Sequence, residues 1–336
     1  MAKRELQKLK LLFMYEYLWK YSAEDDPKTT GEILAYMSEK LEGNYTRETL
    51  LSDINALNAH GYEVCKTKVS RQKAYYIPER EFENGELRML IDAVQAANFI
   101  SRERTSVLVG KIAKLNGPCQ EKHLCKNMVF FNTRKHNTKS IFSTIETLSQ
   151  AIESNHRISF RLFRRDENHE KKYSNNGNRY VVDPITLVYD HDFYYLLTYD
   201  TDTQKNYKKY RIDRTEGAAV EEAFACSAAI EERSNVAEYK RRVIDMFDGE
   251  TRIITINFQD YITDYIYDKF GEDTNVTRVD KEYCSASVEV DVSPPFWGWI
   301  FQFSDDIQVL NPKSMNEAYS EILMRTLENL RNTLCQ

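Results

Sequence analysis

No stretch of this 336-residue chain approaches the run of about 20 apolar residues that a membrane-spanning helix needs. Its first residues, MAKRELQKLK, also lack the apolar segment of a signal peptide, so a cytoplasmic protein with no membrane contact is expected. The six cysteines (Cys65, Cys119, Cys125, Cys226, Cys284, Cys335) are scattered without a paired framework, which suits reduced thiols. In CQEKHLC, Cys119 to Cys125, two of them flank His123. Tetrahedral zinc takes four ligands in recognised spacings, however, and no second cluster completes the set, so neither metal nor cofactor is expected. A P-loop, a nucleophile elbow, an HExxH helix and a carboxylate pair set for acid–base work are missing as well. His191 and Asp192 fall in a turn, where polar residues are ordinary. No catalytic residue is assigned, and the chain reads as a non-enzyme.

What is present is the composition of a folded protein, 42% hydrophobic and 29% charged, at a length that suits two or three domains. The net charge of −6 is unevenly spread. Lys plus Arg stand against Asp plus Glu at 13 to 12 in residues 1–80, 7 to 6 in 81–133, 15 to 12 in 134–217 and 11 to 22 in 218–336. The acid lies at the back, so a local basic face further forward is free to attract phosphate.

Residues 1–80 read as three helices and a hairpin. KRELQKLKLLFMYEYLWKYS carries Leu6, Leu9, Leu12, Phe13, Tyr17 and Leu18 at helical spacing. TTGEILAYMSEKLEG follows, with Thr29 or Thr30 as N-cap, Ile33, Leu34, Met37 and Leu41 inward, and Gly43 as the stop. In TRETLLSDINALNAHG, Thr46 caps a third helix that buries Leu50, Ile54 and Leu57 and leaves Arg47, Glu48, Thr49, Ser52 and Asn55 outside. Gly61 permits a left-handed exit into YEVCKTKV and QKAYYIP, two strands turning at Ser70 and Arg71. That order predicts a winged helix-turn-helix, with the third helix in the major groove of double-stranded DNA and Lys66, Lys68, Arg71 and Lys73 on phosphate. The competing expectation is a small helical domain with a solvated basic hairpin. Thr46, Arg47, Glu48, Thr49, then Ser52, Asp53, Ile54 and Leu57 resemble the recognition helix of DeoR-like regulators, with Ser52 where that family usually has a basic residue. The resemblance implies base or phosphate contacts from Thr46, Arg47, Thr49, Ser52 and Asn55.

Residues 81–133 read as a helical connector and dimer-forming element. Leu87, Leu90, Ile91, Val94 and Phe99 line one helix, Val107, Leu108, Ile112 and Leu115 the next, and Gly117 and Pro118 end them. From residue 134 to 220 an amphipathic helix, TKSIFSTIETLSQAIESN, precedes four strand-like runs: RISFRLFRR, NRYVVDPITLVYD, DFYYLLTYD and YKKYRIDR. A helix followed by four or five short strands suggests a bent sheet of the Sm or SH3-like barrel type. In the last run, alternation puts Lys209, Arg211 and Asp213 on one face and Lys208, Tyr210, Ile212 and Arg214 on the other.

Tyr194-Tyr195-Leu196, with Pro184 and Leu187-Val188-Tyr189 upstream and Tyr210-Arg211-Ile212-Asp213-Arg214 downstream, resembles the WYL domain, tyrosine replacing the tryptophan of its name. The resemblance implies a pocket for a small anionic, nucleotide-like or oligonucleotide effector, bordered by Phe160, Arg179, Tyr180, Tyr194, Tyr195, Arg211 and Arg214. Phenol rings offer stacking faces, and guanidinium groups hold phosphate in two-pronged geometry. Tyr194 and Tyr195 point to opposite faces of their strand, so one of them is expected in the core. Asp213 is a candidate partner for Arg211.

Residues 221–249 read as a charged connector with a helix. Residues 250–336 run strand, helix, two strands, helix, strand and a terminal helix, a ferredoxin-like α+β order similar to the extension that follows many WYL domains. Trp297 and Trp299 are expected in its core. The whole chain is thus expected to be an α+β multidomain protein: winged helix-turn-helix, helical connector, Sm/SH3-like WYL barrel and ferredoxin-like C-terminal domain. Its resemblance implies a bacterial, effector-responsive transcription regulator acting as a homodimer on an operator. The alternative is an accessory single-stranded nucleic-acid-binding protein of a phage-defence system.

Overall fold

Leu9, with φ −92° and ψ 3°, breaks the first helical stretch into α1 (Lys3–Lys8) and α2 (Lys10–Tyr21). This computed structural model describes residues 3–78, 82–118, 141–200 and 207–334, and divides the chain into two units, residues 1–139 and 140–336. The Cys119–Cys125 segment with His123 lies outside the described residues.

In the first unit the break at Leu9 shifts the phase of the stripe. Leu12, expected inward, is 59% exposed, while Leu18 is buried as expected and Met14, outside the expected stripe, is buried with it. Strand β1 (Lys28–Thr29) leads into α3 (Thr30–Lys40), where Thr29 and Glu32 form a reciprocal capping box. The left-handed residue past α3 is Glu42 (φ 49°), not the expected Gly43. Helix α4 (Arg47–Ala59) is capped by Thr46, whose hydroxyl accepts from the Thr49 N–H. Gly61 turns the chain at φ 84° into β2 (Cys65–Val69) and β3 (Gln72–Tyr76), which pair antiparallel and complete a sheet of order β1-β3-β2. Ser70 and Arg71 both have positive φ, as a two-residue turn matching strand twist requires. Met14, Leu18, Ile33, Met37, Leu50, Ile54 and Leu57 form one core.

That core contains one carboxylate. Asp53, 5% exposed, accepts from the Tyr45 hydroxyl at 2.6 Å and pairs with Lys10 Nζ at 2.8 Å, tying α4 to α2 and to the α3–α4 loop. Burial and the bond to Asp53 push the Tyr45 phenol well above its ordinary value.

Helices α5 (Asn84–Ala96) and α6 (Arg102–Ala113) pack through Ile91, Val109 and Ala113. Phe99, expected on the first of them, is buried beyond its end, while Leu90, Val107 and Leu115 face outward. Of the expected apolar residues, Ile91, Val94 and Ile112 are in the interhelix seam, joined by Val109 and Ala113.

The second unit begins with α7 (Ile141–Glu153), lying on a half-barrel sheet. Its strands are β4 (His156–Arg165), β5 (Lys171–Tyr173), β6 (Tyr180–Asp190), β7 (Phe193–Tyr199), β8 (Lys208–Arg211) and β9 (Thr215–Phe224). The order is β5-β4-β6-β7-β8, with β9 also on β4. The run Tyr207–Arg214 is not one alternating strand. β8 stops at Arg211 and Ile212–Arg214 forms a 3₁₀ turn, because buried Ile212 and the Thr215 hydroxyl, which donates to the Ile212 carbonyl, turn the chain into β9.

Helices α8 (Ser227–Glu231) and α9 (Val236–Arg242) follow. Between them Arg233 donates to the carbonyls of Ile185 and Ile152 and to Asn155 Oδ1, anchoring this segment to β6 and α7. Gly249 sits where any Cβ would meet the Val292 carbonyl at 2.0 Å, so only glycine lets the chain pass there. The last sheet comprises β10 (Glu250–Gln259), β11 (Val276–Arg278), β12 (Tyr283–Val292) and β13 (Ile307–Asn311), ordered β11-β12-β10-β13 with antiparallel neighbours. Its connections carry α10 (Thr263–Phe270) and α11 (Pro294–Phe301), and α12 (Lys313–Leu334) ends the chain. Trp297 is buried and Trp299 half-buried against this core.

Candidate functional site

Arg47, Ser52 and Asn55 lie exposed on α4, on the side opposite buried Leu50, Ile54 and Leu57. Thr46 and Thr49 share a hydroxyl–hydroxyl bond of 3.0 Å, so both are engaged in capping. Lys66, Lys68, Arg71 and Lys73 are exposed on the hairpin. Lys68 stands directly across the ladder from Lys73. Like charges in that relation repel, which costs the hairpin stability unless an anion lies between or over them. Among the described residues, none of Arg47, Lys66, Lys68, Arg71 and Lys73 has a salt-bridge partner.

In the second unit the aromatic residues expected to share one pocket divide between two faces. Phe160 (0% exposed), Tyr180 and Tyr210 pack on one another inside the half-barrel, with centroids 5.0–6.1 Å apart. Burial lifts the Tyr210 phenol to about 12. Tyr194 shares that side of β7 with buried Leu196, and its ring lies 5.2 Å from that of Tyr189 near the hairpin tip. Arg179 is a clasp: its guanidinium donates to the Ser159 hydroxyl and carbonyl and, at 2.6 Å, to the Gly217 carbonyl, holding β9 to β4.

The opposite face brings together Tyr195, Arg211 and Arg214. Tyr195 and Arg211 are cross-strand neighbours on β7 and β8. Arg211 lies 3.4 Å over the Phe193 ring and makes a two-pronged bond to Asp213, at 3.1 and 2.8 Å. The expected Arg211–Asp213 pair is therefore present, made by the 3₁₀ turn. Tyr195 packs against Met246 and its neighbours. Burial raises its phenol above the ordinary value, against the pull of Arg211 and Arg214 nearby. Arg214 itself is exposed and makes no salt bridge among the described residues. This face offers one guanidinium engaged by an internal carboxylate and one open to an incoming anion.

Four contributors were not assigned from the sequence, because each depends on tertiary contact, although alternation itself puts Lys209 on the Arg211 face. Phe193 supplies the ring beneath Arg211. Lys209, on the same face of β8, pairs with Asp248 at 2.6 Å, and burial pushes its ammonium below the ordinary lysine value. Asp248 also accepts from the Tyr239 hydroxyl at 2.8 Å, so β8 is tied to α9 and the segment after it. Asp245 reaches His191 Nε2 at 3.3 Å. Among the described residues no group of His, Cys, Asp and Glu is placed to hold a metal ion, and no helix is long and apolar enough to cross a membrane.

Comparison with known proteins gives one family match: residues 143–220 fit the family described as "WYL domain". No curated protein matches the chain. Among solved structures, proteasome accessory factor B/C (PafBC) of Arthrobacter aurescens is 14% identical over 95% of this chain and 47% of that one, with a TM-score of 0.28. The chain thus spans about half the length of that protein. A CRISPR Cas-related protein is 12% identical over 98% of this chain and 86% of its own, with a TM-score of 0.37. The half-barrel of α7 and β4 to β9, with its Tyr195–Arg211–Arg214 face, is a WYL domain.

Proposed function

We propose that this protein is a non-enzymatic, effector-responsive transcription regulator that binds specific double-stranded DNA. In this reading residues 1–80 act as a DeoR-like winged helix-turn-helix, α4 entering the major groove and the β2–β3 hairpin serving as the wing. The order helix, strand, helix, helix, hairpin and the β1-β3-β2 sheet support it. The observation that carries it is the group of five exposed cations on α4 and the hairpin, without ion-pair partners among the described residues and including the opposed Lys68 and Lys73. Outward-facing Met89, Leu90 and Val107 on α5 and α6 support pairing of two copies through this connector, which would present two heads to an inverted repeat.

The WYL domain is the sensor in this account. A nucleotide-like or oligonucleotide effector meets Arg214, competes with Asp213 for Arg211 and stacks on nearby rings. Strand β8 carries both Arg211 and Lys209, so a shift of Arg211 is felt at Asp248 and along the following segment. An effector that binds one arrangement of the dimer better than another shifts operator affinity by that difference.

The test compares a palindrome from the protein's own promoter region with random duplex at fixed salt. Preference for the palindrome is expected, and Arg47→Ala combined with Lys66→Ala and Lys68→Ala removes it without lowering the melting temperature. Equal binding to all duplexes would overturn sequence-specific regulation.

A further inference from the structure

In the C-terminal region, helices α11 and α12 meet over a pocket. The Trp297 and Tyr319 rings stack there, with centroids 5.1 Å apart and planes 12° from parallel. Together with Phe301, Ile322 and Leu323 they border a cavity of about 460 Å³, and Phe301, 59% exposed, and Leu323 stand at its solvent side. Sites for small molecules run from about 300 to 1,000 Å³ and have mostly apolar walls, so this cavity has the size and lining of one.

Three residues make it more than a gap between helices. Gly298 sits inside α11 and lines the cavity, and a Cβ placed on it would meet nothing within 4 Å. Glycine inside a helix is less stable than alanine, so local packing gives no reason for the missing side chain, whereas an open cavity does. Ser293, 2% exposed, lines the same cavity, and its hydroxyl has no hydrogen-bond partner among the described residues. It stands at the N-cap of α11 but makes no capping bond, and Pro295 at N2 lacks the N–H that a cap hydroxyl accepts. A buried hydroxyl left unpaired is costly, and a ligand oxygen removes that cost. Arg325, the cation on the border, is exposed and makes no salt bridge among the described residues.

We propose that this cavity binds an apolar monocarboxylate of the size of a medium-chain fatty acid. The hydrocarbon chain lies against Trp297, Phe301, Tyr319 and Ile322, where it is removed from water. Arg325 supplies a two-pronged, charge-assisted bond to the carboxylate, and the Ser293 hydroxyl donates to a ligand oxygen. One guanidinium matches one negative charge. A phosphate monoester would bring a second charge into an apolar cavity, and an alcohol would leave Arg325 without its anion. The site is separate from the effector reading of the WYL domain, and either stands if the other fails.

The experiment titrates the full-length protein by calorimetry with decanoate, below its micelle-forming concentration, and with decanol. Decanoate binds saturably and about tenfold more tightly than decanol, the loss of one charge-assisted bond. Arg325→Ala weakens decanoate by about the same factor and leaves decanol unchanged. Ser293→Ala weakens decanoate about fivefold. Gly298→Leu abolishes binding of both ligands while the melting temperature holds or rises, because leucine favours helix over glycine and its side chain enters the open space. Undiminished decanoate binding in Gly298→Leu, or no saturable binding by the wild type, would overturn the site. Equal affinity for decanoate and decanol would overturn the assignment to a carboxylate.

Discussion

The opposed lysines of the hairpin make the sharpest quantitative prediction. Lys68 and Lys73 face each other across β2 and β3, and neither has a carboxylate partner among the described residues. Each phosphate neutralised on duplex DNA contributes about 0.9 to the slope of log K against log salt. Five free cations on one head, Arg47, Lys66, Lys68, Arg71 and Lys73, set a slope of about −4.5 if each meets a phosphate. Replacing Lys68 and Lys73 by alanine reduces its magnitude by about 1.8 per head. Folding moves the other way or not at all, because the substitution removes a repulsion worth a few tenths of a kcal/mol, roughly the size of a cross-strand pair. Fluorescence anisotropy on a fixed duplex from 50 to 300 mM salt reads the first effect, and thermal melting of the free protein the second. An unchanged slope in the double variant, with an unchanged melting curve, would refute the assignment of this hairpin to phosphate.

Other perturbations test the framework. Asp53→Ala leaves the Tyr45 hydroxyl and Lys10 without their buried acceptor and destabilises the first unit by about 3 kcal/mol, seen as loss of its far-UV melting transition at the original temperature. Gly249→Ala drives a methyl into the Val292 carbonyl and costs about 2 kcal/mol of second-unit stability in urea titration, since the obstacle is backbone. Glu216 is held below its ordinary value of 4.5 by Lys171 first and then by Tyr173. A lowered carboxyl contributes stability that is present above pH 4.5 and is lost as pH falls through the lowered value, so Glu216→Gln flattens the acid limb of the stability curve below about pH 4.5.

Local signals in the sequence served well where structure is local. Thr46 as cap of α4, Gly61 as the left-handed exit and the Ser70–Arg71 turn rest on backbone rules that act over a few residues, and each stands as expected. Inward and outward assignments were weaker wherever a short break changed phase. One residue, Leu9, turned Leu12 outward, and the ending of α5 at Ala96 removed Phe99 from its helix. The WYL residues were legible as a set but not as a surface. Strand parity separates Tyr195 and Arg211 from Phe160 and Tyr180, while Arg179 is consumed by carbonyls of strands distant in sequence. Strand alternation puts Lys209 on the Arg211 face, but its pairing with Asp248 and the place of Asp245 left no mark in the sequence, because they arise only when residues 240–248 fold against the β7–β8 face or its hairpin tip.

In the proposed regulation, occupancy of the Arg211–Arg214 face is felt at the proposed DNA-binding head. Operator affinity measured by anisotropy, with and without saturating hexathymidylate, tests it in the wild type and in Arg214→Ala. At least a fivefold change in wild-type operator affinity is expected, the lower end of typical coupling between sites, and no change in Arg214→Ala. Identical operator affinity in the wild type with and without bound oligonucleotide would contradict it.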